Sequence, residues 1–388
     1  MSRRVAITWD EALVAYDFGP QHPLKPIRVK LTVELARAYG LLDLSNVEVV
    51  KPRSARRDEL ELVHSPAYID AVERIGRAAT DPYGNYGWGI GIGDNPAFRG
   101  MHDASALVAG ASLVAAEQVA SGAVEHAFNP AGGLHHAMPD RASGFCIYDD
   151  PAIAIRRLTG LGERVVYIDV DVHHGDGPQF IFYDDPEVMT ISLHESGEYL
   201  FPGTGFPKEI GTGPAEGTKV NVALPPLTDH DGYRAAFERI VPPLVESFKP
   251  SILVTQLGCD THATDPLAHL ALITDTYRWI ATTLHRLAHR VTGGRWLALG
   301  GGGYQIYTVV PRAWTIYAAE IIGAELDDRL PEAWRELALE HGAPPELPST
   351  LSDPEVRAPE GRLVQAREEA RAAAERTASA IFGYHGLV

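Results

Sequence analysis

Residues 165–177 read Val-Val-Tyr-Ile-Asp-Val-Asp-Val-His-His-Gly-Asp-Gly. The stretch opens as an unbroken apolar run, the pattern of a parallel strand buried on both faces. It then crowds Asp169, Asp171, His173, His174 and Asp176 into the end of that strand. Carboxylates placed there are costly unless they are paired or hold a metal. In extended backbone, residues two apart share a face, so Asp169, Asp171 and His173 are expected to point one way and Val170 and Val172 the other. Asp171 and His173 then make half of a metal site. A salt-bridge network is the competing reading.

Seven further apolar runs, at 5–9, 47–50, 123–128, 188–193, 220–224, 252–257 and 296–299, read as strands, and several are continuous rather than alternating. Stretches with helical period fall between them, at 26–39, 104–119, 233–246, 275–289 and 308–322. Ser65-Pro66 and Asp150-Pro151 each place a capping residue before a first-turn proline. This alternation predicts a doubly wound α/β fold, a mainly parallel sheet with helices on both faces. Such sheets bind ligands beyond the carboxyl ends of their strands, so the loops there carry the functional reading. Residues 1–322 are expected to form one catalytic domain, with 323–388 as a C-terminal extension. In it, 341–361 is a proline-rich linker or wrapping segment, and 362–380 an Ala/Glu/Arg helix that is solvated or docked.

Acidic residues outnumber basic ones, 51 to 34, giving a formal charge of −17. Such a surface repels phosphate backbones, which argues against nucleic acid as a partner. The balance of 45% hydrophobic to 22% charged residues excludes a disordered or fibrous chain. Two cysteines, Cys146 and Cys259, cannot build a disulfide framework and suit a reducing compartment. No apolar leader follows the first residues, and no apolar run reaches the roughly 18 residues of a membrane helix. The expectation is a cytoplasmic protein without a membrane partner, its oligomeric state open.

Three more strand-end loops carry chemistry. Leu257-Gly258-Cys259-Asp260 ends an apolar run, and Asp260 could join Asp171 and His173. Three protein ligands leave a position for water, as in catalytic zinc sites. Gly132-Gly133-Leu134-His135-His136 offers two adjacent imidazoles as general base and acid, each needing a carboxylate behind it; Asp169 and Asp176 are available. Gly300–Gly303 allows close backbone approach, and Tyr304 after it can donate to an oxyanion. Each loop alone has a bland reading as a cap, a core histidine or a turn. Gathered at one sheet edge, they describe metal-assisted hydrolysis of an amide-like bond.

The strings HPLKPIR (22–28), GIGDNPAFRGMHDAS (91–105), AGGLHHA (131–137), SGFCIYDD (143–150), YIDVDVHHGDG (167–177), TISLHESGEYLFPGTG (190–205), QLGCDTHATDPL (256–267) and LGGGGY (299–304) resemble the zinc-dependent histone deacetylases of the class I type. The branch most similar is the bacterial acetoin-utilisation deacetylases, and the resemblance spans about residues 5–322. It implies the arginase/deacetylase fold, with Asp171, His173 and Asp260 as zinc ligands. It implies His135 and His136 as the catalytic pair, backed by Asp169 and Asp176, and Tyr304 as the group that polarises the substrate carbonyl. Phe145 and Phe201 become the walls of an acyl-lysine tunnel, and Gly144 offers its carbonyl to the substrate amide. Asp94, Leu267 and Gly302 line the substrate site, and Arg28 lies at a product channel. The resemblance also implies potassium at Asp169, Asp171, His173, Ser192 and Leu193, and a second potassium at Phe182, Asp185, Val188 and Thr218. The expected substrate is an acyl-lysine protein, acetyl-CoA synthetase among the candidates.

Three alternatives stand beside this reading. A binuclear manganese hydrolase of the arginase kind needs D-x-H-x-D spacing, whereas the chain has Asp171-x-His173-x-x-Asp176 and Thr261-His262 after Asp260. One metal is therefore expected, zinc or iron(II). An acetylpolyamine amidohydrolase would favour an acidic residue where Leu267 stands, although Asp94 suits a cation. A non-catalytic acyl-lysine binding protein would be expected to lack a ligand or the tyrosine, and both are present.

Overall fold

The protein is described by a computed structural model covering residues 4–354 and 359–388. Each of the eight apolar runs overlaps a strand: β1 (Val5–Thr8), β2 (Val47–Val50), β3 (His126–Asn129), β4 (Val165–Asp169), β5 (Val188–Glu195), β6 (Lys219–Leu224), β7 (Ile252–Gln256) and β8 (Trp296–Leu299). The helices are α1 (Ile27–Ala38), α2 (Arg57–Leu60), α3 (Pro66–Ala78), α4 (Met101–Ala120), α5 (Asp150–Gly160), α6 (Asp176–Ile181), α7 (His230–Phe248), α8 (Thr274–Thr292), α9 (Val310–Ile322), α10 (Glu332–Glu340) and α11 (Glu360–Ile381).

The strands form one sheet in the order β2-β1-β3-β8-β7-β4-β5-β6, and every pairing is parallel. Alternate residues of each strand face opposite layers. Val165, Tyr167, Ile252, Val254, Leu297 and Leu299 pack with the buried sides of α4 and α5. Val166, Ile168, Leu253, Trp296 and Ala298 belong to the layer that includes α7, α8 and α9. Burial on both faces explains the continuous apolar runs of strands such as β4 and β8. The four chemistry-bearing loops follow β3, β8, β7 and β4, which are consecutive in the sheet, so its topology delivers them to one edge.

Two strands have a boundary that shifts by more than one residue from expectation. β3 starts at His126 because the chain first turns through Ser121 and Gly122, with Val124 N donating to Gln118 O. β5 continues to Glu195 because β6 pairs with it to the end, Glu195 opposite Leu224.

The residues after 322 are built onto the same core. The linker expected at 341–361 includes residues 355–358, which lie outside the described residues. Leu347 and Leu351 are buried with Trp334 of α10 against Leu31 and Leu35 of α1. α11 docks on α7 and the outer strand β6, burying Ala370, Ala374, Ala378 and Ile381, and Thr377 Oγ1 donates to Asn221 O at 2.6 Å.

Asp353 fixes this segment beside the β7 loop. It receives Arg312 Nη2 at 2.7 Å, His262 Nε2 at 2.9 Å and Thr274 N at 2.9 Å. Burial would raise its carboxyl pKa, but His262 and Arg312 outweigh that and hold it well below the usual range. A depressed carboxyl contributes stability that is complete above its unfolded value near 4 and is lost as pH falls through the folded value. Asp353→Asn is expected to cost on the order of 3 kcal/mol at neutral pH, since it leaves Arg312 buried without its counterion. The deficit relative to the parent protein should shrink at strongly acidic pH; denaturant unfolding at both pH values checks it.

Candidate metal centre and its surroundings

β4 ends at Asp169, and the next residues leave the extended conformation. The expected alternation through His173 is replaced by two side-chain turns. Asp169 Oδ1 accepts from Asp171 N at 3.1 Å, and Asp171 Oδ1 accepts from His173 N at 3.0 Å. Aspartates readily bond their own backbone two residues on. Asp169 is thereby turned toward the histidine pair, and Asp171 and His173 toward the loop after β7.

There Asp171 Oδ1 and Asp260 Oδ2 lie 3.1 and 3.2 Å from His173 Nδ1. Two donors about 2.0–2.1 Å from one tetrahedral ion would be about 3.3 Å apart, so this set fits a single divalent cation. The outer carboxylate oxygens are occupied. Asp171 Oδ2 accepts from Gln256 Nε2 at 2.6 Å and Gly302 N at 2.7 Å, and Asp260 Oδ1 accepts from Val172 N at 2.8 Å. Each carboxylate thus turns its other oxygen toward the shared point. Without a cation the site is electrostatically frustrated. Burial and Asp171 push the Asp260 carboxyl up to about 7. Burial opposes charge on His173 too, yet Asp171 and Asp260 lift its imidazole to about 10.

His135 and His136 approach through their Nε2 atoms at 3.1 Å. Behind them, His135 Nδ1 lies 2.7 Å from Asp169 Oδ2, and His136 Nδ1 lies 2.6 Å from Asp176 Oδ1. The two imidazoles differ electrically. Burial works against charge on His135, but Asp169 and Asp171 overcome it and raise the group to about 10. Burial and the neighbouring His135 charge lower His136. The Tyr304 phenol is pushed up by burial and by Asp260 and Asp171, so it stays a proton donor. Tyr304, His135, His136, Asp171, His173 and Gly302 line one narrow cavity. Arg28 and Leu24 lie in its wall and also in that of an adjoining apolar chamber with Leu13 and Val108. Arg28 is buried there, Nη1 donating to Gly303 O at 2.8 Å.

Phe145 stacks edge-on to Tyr304 at 5.7 Å, and Phe201 to His136 at 5.0 Å. A Cβ on Gly144 would meet the His136 and Phe201 rings at 2.4 and 2.9 Å, which explains glycine between them. Asp94 is exposed on the 80–102 loop, its carbonyl 3.1 Å from His22 Nε2, and Leu267 is half-buried. The pairing of β4 with β5 sets Asp169 opposite Ser192, two of the first set of potassium-assigned residues. The second set needs correction. Lys219 Nζ donates to Val188 O at 2.6 Å, Thr218 Oγ1 at 2.7 Å and Asp185 O at 3.4 Å. An ammonium occupies those oxygens, and this donor set does not fit a second potassium. Burial lowers that lysine to about 7.

Sequence reading passed over several supports. Gln256 orients Asp171. Asp265 Oδ2 accepts from Tyr304 N at 2.8 Å and positions that residue. Asp149, rather than Asp150, caps α5 through Ala152 N at 2.8 Å. This frees the buried Asp150 to accept from Gly133 N at 3.0 Å and Leu134 N at 2.8 Å, holding the loop that presents the histidines. The only available signal was an unexplained polar residue beside each recognised motif. His174 and His194 are structural: His174 Nδ1 meets Thr204 Oγ1 at 2.8 Å and His194 Nε2 meets Gly205 O at 2.9 Å.

A parallel sheet carrying an Asp-His-Asp centre, two carboxylate-backed imidazoles and a tyrosine at one carboxyl edge is the arrangement of the arginase/deacetylase fold. The family description "Histone deacetylase domain" matches residues 22–321, and the chain belongs to the histone deacetylase family. Within it, the chain falls in the acetoin-utilisation branch. It is 42% identical to the acetoin utilization protein AcuC of Bacillus subtilis (strain 168) over 340 residues, 87% of each chain. It is 38% identical to AcuC of Staphylococcus xylosus over 336 residues, 86% of this chain and 87% of that one. A crystal structure described as an HDAC homolog complexed with SAHA superposes with TM-score 0.82 at 33% identity, covering 95% of this chain and all (100%) of that one.

The backbone at Gly302 tests the metal geometry. A Cβ there would sit 1.9 Å from Asp260 Oδ2. Gly302→Ala is expected to displace that carboxylate and weaken zinc binding by at least roughly 10–100-fold, read by competition with a chromophoric chelator. Far-ultraviolet dichroism should remain unchanged.

Proposed function

We propose that this deacetylase-family amidohydrolase hydrolyses the amide of Nε-acetyl-lysine in proteins, releasing lysine and acetate. The observation that carries the reading is the cavity lined by Asp171 and His173 of the Asp171–His173–Asp260 cluster, the backed histidines and Tyr304. Zinc bound by that cluster would act as a Lewis acid and lower the pKa of a bound water to about 7. The same donors accept iron(II).

The side chains supply the remaining steps. His136, kept neutral and with Nδ1 held by Asp176, offers Nε2 as the base for the attacking water, then returns that proton to the leaving lysine amine. His135, its Nδ1 held by Asp169, places a second imidazole beside the developing charge. Tyr304 donates to the carbonyl oxygen as it becomes an oxyanion. Phe145 and Phe201 flank the acyl-lysine stem, and the Gly144 carbonyl accepts the amide hydrogen. Asp94 holds the substrate backbone at the rim, and Leu267 packs beside it. Acetate leaves past Arg28 into the apolar chamber.

Potassium bound by oxygens of Asp169, Asp171, His173, Ser192 and Leu193 would fix the carboxylates from behind. The substrate is an acyl-lysine protein of the cytoplasm, with acetyl-CoA synthetase the first to test; both cysteines are free and buried, as suits a reducing compartment. Apolar Leu267 favours a peptide over a polyamine at the rim, and an intact ligand set with Tyr304 favours turnover over mere binding.

Tyr304→Phe should retain zinc and lose roughly 10²–10³ in kcat. In the parent protein, kcat/KM on an acetyl-lysine peptide should exceed that on acetylspermidine; the reverse order moves the assignment to polyamines, and a near-normal Tyr304→Phe removes the mechanism. Crystals soaked in thallium(I) should show one monovalent ion, at the Asp169–Leu193 oxygens, and none beside Lys219.

A further inference from the structure

At the opposite end of the sheet a second cluster of imidazoles converges. His126 is the first residue of β3, paired in register with Val5 and Trp296. His285 and His289 are one turn apart on α8, and residues four apart share a helix face. The three ring centroids form a nearly regular triangle, with sides of 4.9, 5.1 and 4.9 Å. One ring nitrogen from each residue lies within 4.8 Å of the other two. The Nε2 atoms of His285 and His289 are 3.1 Å apart, close to the roughly 3.3 Å of two ligands on one tetrahedral ion.

The surroundings resemble those of a metal ligand set. His285 Nδ1 lies 3.1 Å from Glu320 Oε1 on α9, and Thr282 Oγ1 donates to the other carboxylate oxygen at 3.1 Å. A proton committed to Glu320 leaves Nε2 of His285 as a lone-pair donor, the arrangement that fixes and strengthens an imidazole ligand. His126 and His285 are buried beside the Trp296 ring, whereas His289 is partly exposed at a surface cleft that also holds Glu320 and Glu325. That cleft gives an ion an entrance and room for a fourth ligand. Arg286 and Arg290 also line it, but Arg290 is paired with Glu246 at 2.6 Å.

We propose that His126, His285 and His289 form a second metal site, specific for a divalent ion that favours imidazole, zinc foremost, with nickel and copper(II) as competitors. The site clamps β3 to α8 and, through Glu320, to α9. It is separate from the deacetylase centre and independent of the substrate assigned above.

Equilibrium dialysis of the full chain against zinc, followed by metal analysis, tests this. The parent protein should hold one more equivalent than His289→Ala, whose kcat/KM should stay at the parent value. Glu320→Gln should keep the equivalent but weaken it by roughly 10–100-fold. Crystals soaked in zinc should give an anomalous peak among the three imidazoles, whatever the behaviour of the variants. Equal zinc content in the parent and His289→Ala proteins, or no peak at that position, overturns the proposal.

Discussion

Two buried carboxylates facing one point are the constraint around which this protein is organised. Asp171 and Asp260 are fully buried, and neither can hold its charge there alone. The surrounding chain is arranged to make that tolerable. Gln256, Gly302 N and Val172 N bond the outer oxygens, His173 stands between the inner ones, and the glycines of two loops let backbone come within reach. Remove the demand for a cation and most of these features lose their purpose. Asp171 also joins Asp169 in setting the electrical difference between His135 and His136, because both raise the first and the charge on the first lowers the second.

The fold was largely legible because the sheet is buried on both faces. The strands are short and punctuated, and the central ones, such as Val165–Ile168 and Trp296–Leu299, are continuous apolar runs. The site residues were legible for a related reason. Titratable groups such as Asp169, Asp171, His173 and Asp260 at the ends of apolar runs are too costly to be accidental. The pairings of His135 with Asp169 and of His136 with Asp176 lie within reach of one sheet edge once the strand order is known.

What escaped was of two kinds. Local geometry misled where polar side chains competed with the strand: Asp169 and Asp171 bend the backbone by accepting from the amides two residues on, and Asp149 takes the cap that Asp150 was expected to form. The other misses were long-range. Nothing local to Asp150, Gln256 or Asp265 says that each supports a loop distant in the chain. Lys219 is the clearest case. A lysine at the start of an apolar strand reads as a solvated end, and only the folded chain shows its ammonium lying on the carbonyls of a neighbouring segment.

The docking of α11 has a consequence for the chain as a polymer. β6 is the last strand of the sheet, and an outermost strand is a template on which another chain can add by hydrogen bonding. The C-terminal helix lies over it, with Thr377 engaging the carbonyl of Asn221 and His385 that of Gly217. The α11 segment therefore shields the margin of the sheet. Until it arrives, a nascent chain leaves that margin open to self-association, so solubility during synthesis depends on residues far from any chemistry.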